Sequence, residues 1–221
     1  MRLPYKVYTA EIPVKGIGYL VLNDPEALEE GVEALLSKGA VSIFATGPLE
    51  EGEREGLSIT YAHDVLVMER SLADCAAPEG RLRLSPLTER ETPVYIQIHN
   101  ESFFTVPNGA TIDRSELDKL LRPTERAGLV WLGVRPVGIY DCVLEGETPE
   151  IDELGLLKVM RGKGLGRELL RAILDLLARE DFGRCKLKVS TANQAAFALY
   201  RSEGFTVTEK YSTWYEVRRR A

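Results

Sequence analysis

The chain has 221 residues, 44% hydrophobic and 28% charged, with a formal net charge of −6; this composition excludes disorder and a bare helical array and fits one large or two small domains. No stretch approaches the roughly 18 apolar residues of a membrane span, and the opening residues lead into polar alternation rather than a signal sequence, so a soluble cytoplasmic chain with no membrane partner is expected. Cys75, Cys142 and Cys185 are odd in number and scattered, with only His63 and His99 beside them, which predicts neither a disulfide framework nor a metal site.

In chain order, Asp24-Pro25 opens a helix with Leu28, Val32, Leu35 and Leu36 at helical spacing, stopped by Gly39. Val41–Ala45 reads as a buried strand, and Ser58–Ile59 and Asp64–Met68 as two more. The small, polar stretch Ala73–Gly80 reads as a linker and places the main domain boundary there. Beyond it, a strand is expected over Arg81–Pro86, a helix over Thr92–Phe103 and a short helix over Asp113–Leu121. Three strands, Gly128–Val134, Pro136–Leu144 and Ile151–Leu157, have connections too short for crossover helices and predict an antiparallel meander. Leu165, Leu169, Leu170, Ile173, Leu176 and Leu177 mark the most regular amphipathic helix. A strand over Lys186–Val189, a helix over Asn193–Ser202 ended by Gly204, and two strands within Thr206–Val217 complete an α/β chain with a mixed sheet. Gly56–Arg70 lines up with Gly204–Arg218, an internal echo that leaves chance similarity and a decayed duplication both open.

Charge is uneven. Residues 1 to 80 carry six Lys and Arg against 14 Asp and Glu, and residues 81 to 221 carry 22 against 20. The second part tolerates an anionic ligand, but it supplies no basic stripe of the sort nucleic acid requires, so that partner is set aside. The acidic residues of the first part, Glu50, Glu51, Glu53 and Glu55 among them, read as a solvated loop.

The chemistry concentrates in Leu154–Gly166, where a strand enters a glycine-rich turn at the start of the long helix. Unpaired N–H groups and the positive end of the helix dipole meet there, Gly162, Gly164 and Gly166 admit phosphate oxygens, and Arg161 and Lys163 add charge. The alternative is a glycine-eased turn with no ligand. A P-loop fails because Gly166 is followed by Arg167-Glu168, and a dinucleotide fingerprint fails because the preceding strands are hairpin-linked.

Arg161-x-x-Gly164-x-Gly166 after a hydrophobic strand resembles the pyrophosphate loop of the GNAT superfamily of acyl-CoA-dependent N-acetyltransferases. Asn193, Ala196, Leu199-Tyr200 and Gly204-Phe205 resemble that family's second segment, and the likeness extends over about residues 81 to 221. One departure is Lys158, where the family often has Pro. The resemblance implies a GNAT-like fold with a splayed central sheet over 81–221, and a smaller, degenerate GNAT-like α/β module over 1–78. It implies acetyl-CoA as co-substrate, held by Leu156, Leu157, Lys158, Arg161, Gly162, Lys163, Gly164, Leu165, Gly166 and Asn193. The acetyl group then passes by direct attack to a primary amine of a small molecule; a peptide or protein amine, or a non-catalytic acyl-CoA-binding module, are the alternatives. Tyr200 is the expected proton donor to the leaving thiolate, with an ordinary core tyrosine as the other reading. Glu153 is the expected base, although its strand parity is opposite to that of Leu154 and Leu156; Glu101 and Asp141 are alternatives. Acceptor recognition is expected in Glu101–Asp113, with Phe103, Phe104 and Pro107, and around Trp214 and Tyr215. The sequence leaves the oligomeric state open.

Overall fold

A computed structural model of the protein describes residues 3–75 and 80–220, without the side chains of 116 and 117. The chain divides into two compact units. The first holds the described residues up to Leu66, Ser190–Ala192 and the chain from Lys210 onward; the second holds Val67–Val189 and Asn193–Glu209. The boundary expected at Ala73–Gly80 therefore lies inside the second unit, because one strand runs unbroken past Leu66; residues 76–79 of that expected linker lie outside the described residues.

In the first unit, β1 (Tyr5–Tyr8), α1 (Ile12–Lys15) and β2 (Ile17–Leu22) precede α2 (Leu28–Leu36) and β3 (Ser42–Thr46). β1 runs antiparallel to β2, and β2 runs parallel to β3 across the α2 crossover. The predicted helix is there, and the Asp24 side chain accepts from the Glu26 N–H at 3.0 Å to start the 3-10 turn that leads into it, as a short acidic side chain does at an N-cap. Leu20, Leu28, Val32, Leu35 and Ala45 form its core. β4 (Gly52–Arg54) pairs with β5 (Leu57–Ser71). β5 is one 15-residue strand rather than two: Thr60-Tyr61-Ala62-His63 contains no glycine or proline to end it.

The second unit continues with β6 (Leu82–Pro86), α3 (Thr92–Phe103), a 3-10 turn at Arg114–Glu116 with the single turn α4 (Leu117–Leu120), β7 (Gly128–Leu132), β8 (Arg135–Val143) and β9 (Glu150–Leu156). α5 (Leu165–Arg179), β10 (Arg184–Ser190), α6 (Gln194–Ser202) and β11 (Thr206–Arg219) follow. β6 to β9 form the antiparallel meander expected, and β10 joins β9 in parallel, so the sheet is mixed. β11 is one 14-residue strand, not two, again with no breaker inside it. β5 and β11 each contribute residues to both units.

Two layers cover the strands of this unit. Leu165, Leu169, Leu170, Ile173, Leu174 and Leu177 of α5 and Tyr200 of α6 pack with Tyr140, Cys142, Ile151 and Leu156. Tyr95 and Ile98 of α3 pack with Leu129 and Ile139 on the opposite face. Each fully buried leucine on α5 adds about 1.5–3 kcal/mol of burial, which fixes where that helix begins. No helix among the described residues is long and apolar enough to cross a membrane.

Candidate active site

The ladder between β9 and β10 is two residue pairs long, Lys186 with Glu150 and Leu187 with Ile151. β9 nevertheless stays paired with β8 as far as Leu156 opposite Gly138. The two parallel strands therefore part after Ile151, and the β10 side of β9 keeps unpaired main chain. Its direction follows from one bond: the Leu157 N–H donates to the Val137 carbonyl at 3.0 Å, so Leu156, one residue earlier, turns its own N–H and C=O to the β10 side. The Leu156 N–H thus faces the gap. Leu157 differs from expectation, since its N–H is taken by Val137 and its carbonyl accepts from the Met160 N–H at 2.8 Å.

Beyond β9 the chain makes a 3-10 turn at Lys158–Met160, with Lys158 exposed, and then the glycine turn. Gly162 and Gly164 have φ of 72° and 77°, and a Cβ at either would meet nothing within 4 Å, so these positions need glycine for conformation and leave an open cradle. Gly164 caps α5 with no side-chain hydrogen bond. The first N–H groups of that helix, from Leu165 and Gly166, therefore point out unmatched by any cap. The Leu165 side chain is core, so only its main chain serves the turn. Lys163 is exposed. Glu168, in the same first turn, would oppose an anion, but Arg81 hydrogen-bonds it from side chain and main chain and holds its carboxyl below the usual range.

Arg161 departs from the expected role of facing phosphate. Its Nε donates to the Leu156 carbonyl at 3.0 Å and its Nη2 to the Ser102 carbonyl at 2.5 Å. It braces the end of β9 and the C-terminal turn of α3, where a cation is favoured. Asn193 likewise acts locally, since its Oδ1 accepts from the Ala196 N–H at 3.3 Å and starts α6. α6 carries Tyr200 and brings Leu199 against the turn, where a Cβ on Gly166 would stand 3.6 Å from Leu199 Cδ2. Tyr200 is 9% exposed, burial pushes its hydroxyl up to about 12, and none of the described residues hydrogen-bonds that hydroxyl.

Glu153 projects to the α3 face, as its parity implies, while Leu154 and Leu156 pack on the α5 and α6 face. Tyr200 and Glu153 thus stand on opposite faces of the sheet, Glu153 on the strand that lines the gap. The Glu153 side chain is 23% exposed, and α3 meets it with two groups that sequence reasoning missed: the Tyr95 hydroxyl donates to Oε2 at 3.2 Å, and His99 Nε2 lies 2.7 Å from Oε1. The only signal was their spacing of four along a helix, which puts both on one face. Close approach of α3 is permitted by Gly155, where a Cβ would stand 3.0 Å from Phe103 Cε2 and 3.1 Å from Ser102 Cβ.

Asp141 lies opposite Glu153 in the β8–β9 register. It is 1% exposed; burial first, then Glu125, Glu153 and Asp152, push its carboxyl up to about 8. It therefore holds its own proton near neutrality and is poorly suited to take another. Glu101 is exposed on α3. In the expected acceptor segment Phe103 packs 4.9 Å from His99 and Phe104 is exposed. Trp214 and Tyr215 belong to the first unit, where Trp214 meets Tyr19 edge-on at 5.7 Å and stacks with His63.

The family model described as "Acetyltransferase (GNAT) family" matches residues 89–205. A protein named mycothiol acetyltransferase from Clavibacter michiganensis is 28% identical over 211 residues, covering 86% of this chain and 69% of that one. The N-alpha-acetyltransferase RimI of Mycobacterium tuberculosis is 42% identical over 76 residues, 33% of this chain and 46% of its own. Among solved structures, a GCN5-related N-acetyltransferase from Sphaerobacter thermophilus superposes with a TM-score of 0.62 at 15% identity, covering 96% of this chain and 74% of that one.

Proposed function

Because the chain belongs to the acetyltransferase (GNAT) family, and is an enzyme of that type, we propose that it passes an acetyl group from acetyl-CoA to a primary amine of a small molecule, in the cytoplasm. The observation that carries the donor assignment is the strand gap after Ile151 opening beside a glycine turn with an uncapped helix start. The residues present fit such a carrier: open space at Gly162 and Gly164, main-chain donors at Gly162 to Gly166 for a diphosphate, Lys163 for charge, and the Leu156 N–H toward the gap. The small-molecule reading is supported by the span of the likeness. The relative named for mycothiol matches 86% of the chain, the one named for N-alpha acetylation only 33%. The cytoplasmic reading is supported by three cysteines that are all free, as a reducing compartment keeps them.

Acetyl-CoA supplies an acyl carbon open to attack and a thiolate leaving group. The Leu156 N–H polarises the carbonyl. Glu153 takes the proton that an arriving ammonium must lose, and a second as the N–C bond forms and the C–S bond breaks, passing both to water through its exposed edge. Tyr200 gives its proton to the thiolate and regains one from solvent, so one proton is released per turnover. Residues up to Leu66 are read as the remnant of a second GNAT-like module. Gly56 and Gly204, both at positive φ, each lead into a long strand, which supports the repeat.

Release of CoA thiol from acetyl-CoA across a panel of small amines and peptides tests the reading. The highest kcat/KM on a small amine is expected. A preference for peptide N-termini, which the 42% local identity to RimI favours as second reading, would move the acceptor; donor binding with no thiol release on any amine would remove the transfer.

A further inference from the structure

His99 is 2% exposed, and both of its ring nitrogens are engaged. Nε2 lies 2.7 Å from Glu153 Oε1, and Nδ1 lies 3.1 Å from Asn100 Oδ1. The Asn100 amide is oriented by the main chain of a single residue: the Ile112 N–H donates to Oδ1 at 2.8 Å, and Nδ2 donates to the Ile112 carbonyl at 3.0 Å. Flipping the amide would set donor against donor and acceptor against acceptor, so Oδ1 is the atom that faces His99. An acceptor there requires Nδ1 to carry the hydrogen. A neutral ring would then turn the lone pair of Nε2 toward a carboxylate oxygen at 2.7 Å, two acceptors with nothing between them. The contact closes only around a proton.

We propose that His99 and Glu153 hold one resident proton between them, carried on His99 Nε2 as an imidazolium–carboxylate pair whose ring Asn100 orients by accepting from Nδ1. His99 and Asn100 are positioning residues that act through Glu153, and the inference rests on the reading of Glu153 as the group that takes the amine's proton. The groups around the pair explain why the nitrogen holds the charge. Asp141 on β8 lies opposite Glu153, with Asp152 and Glu125 near Asp141. Tyr95 on α3 donates to Glu153, and the Lys119 ammonium on α4 is paired to Asp152 at 3.5 Å. The carboxylate 2.7 Å from Nε2 favours a charged ring, and the hydroxyl donated by Tyr95 favours the ionised carboxylate. Glu153 is thereby kept ionised and oriented in the resting enzyme, ready for the proton of an arriving ammonium, while His99 keeps its own proton throughout.

The test is nitrogen NMR of the full chain with ring-labelled histidine, His63→Gln assigning the two signals. Nδ1 and Nε2 of His99 should both be protonated at pH 7. In Glu153→Gln the amide hydrogen replaces the shared proton, so Nε2 should read bare while Nδ1 stays protonated. Asn100→Leu removes the acceptor that faces Nδ1, so the Nδ1 proton should be lost more readily and the acidic limb of the kcat/KM profile displaced, and Asn100→Asp, which keeps an acceptor oxygen, should restore Nδ1. A bare Nε2 in the unaltered enzyme at pH 7 overturns the inference whatever the activity. If Nε2 is protonated but Glu153→Gln loses less than tenfold in kcat/KM, where about a 10²-fold loss is expected of a general base, the pair stands as structure and the reading of Glu153 as base fails.

Discussion

Tyr200 keeps its proton at rest because its surroundings are apolar, and in the proposed transfer it gives that proton to the thiolate as it forms. Tyr200→Phe should lower kcat by about 10²-fold with the acetyl-CoA dissociation constant unchanged, a split that steady-state rates and calorimetry read separately. Asp141 likewise keeps its proton. Unfolded, it titrates near 3.8, whereas in the folded chain it titrates at about 8; the folded state holds the extra proton across that window, so its stabilising share falls as pH rises from about 4 to about 8. Asp141→Asn should flatten this slope and gain at least about 1 kcal/mol at pH 8, read by denaturant midpoints at each pH. Tyr200's helical face and Glu153's parity are legible in sequence because spacing along one element decides them. The contact of His99 with Glu153 is not, because it depends on where α3 crosses β9, and that crossing is set by the missing side chain of Gly155.

At the scale of elements, α5 is the keel of the second unit, and its six buried residues anchor the turn that precedes it. Leu169→Ala should cost about 2–5 kcal/mol by denaturant unfolding, with donor affinity falling only as the fold does. This helix, the meander and the bounds of α3 can be read in advance, since apolar period and breakers agree there. β5 and β11 each read as two strands in sequence because their apolar residues thin out midway, though no residue in either interrupts the extended chain. β1 and β2 escape a reading by pattern: β1 is four residues long, and Gly16 and Gly18 obscure the alternation of β2. Likewise the parting of β9 from β10 has no local mark, because it arises from how many pairs two distant strands share.

For the whole molecule, donor binding and folding are linked. Acetyl-CoA at 100 times its dissociation constant should stabilise the protein by about 2.7 kcal/mol, seen as a higher melting temperature. Gly164→Glu should abolish that shift, because it sets bulk and negative charge in the cradle. The bridge made by Arg161 bears on redesign. One guanidinium ties the exit of the donor-side strand to the last turn of the helix that leads into the expected acceptor segment. Grafting a foreign helix and loop here to change the acceptor would cut that tether, and the graft's first symptom should be a weakened KM for acetyl-CoA, curable by restoring a carbonyl within the guanidinium's reach.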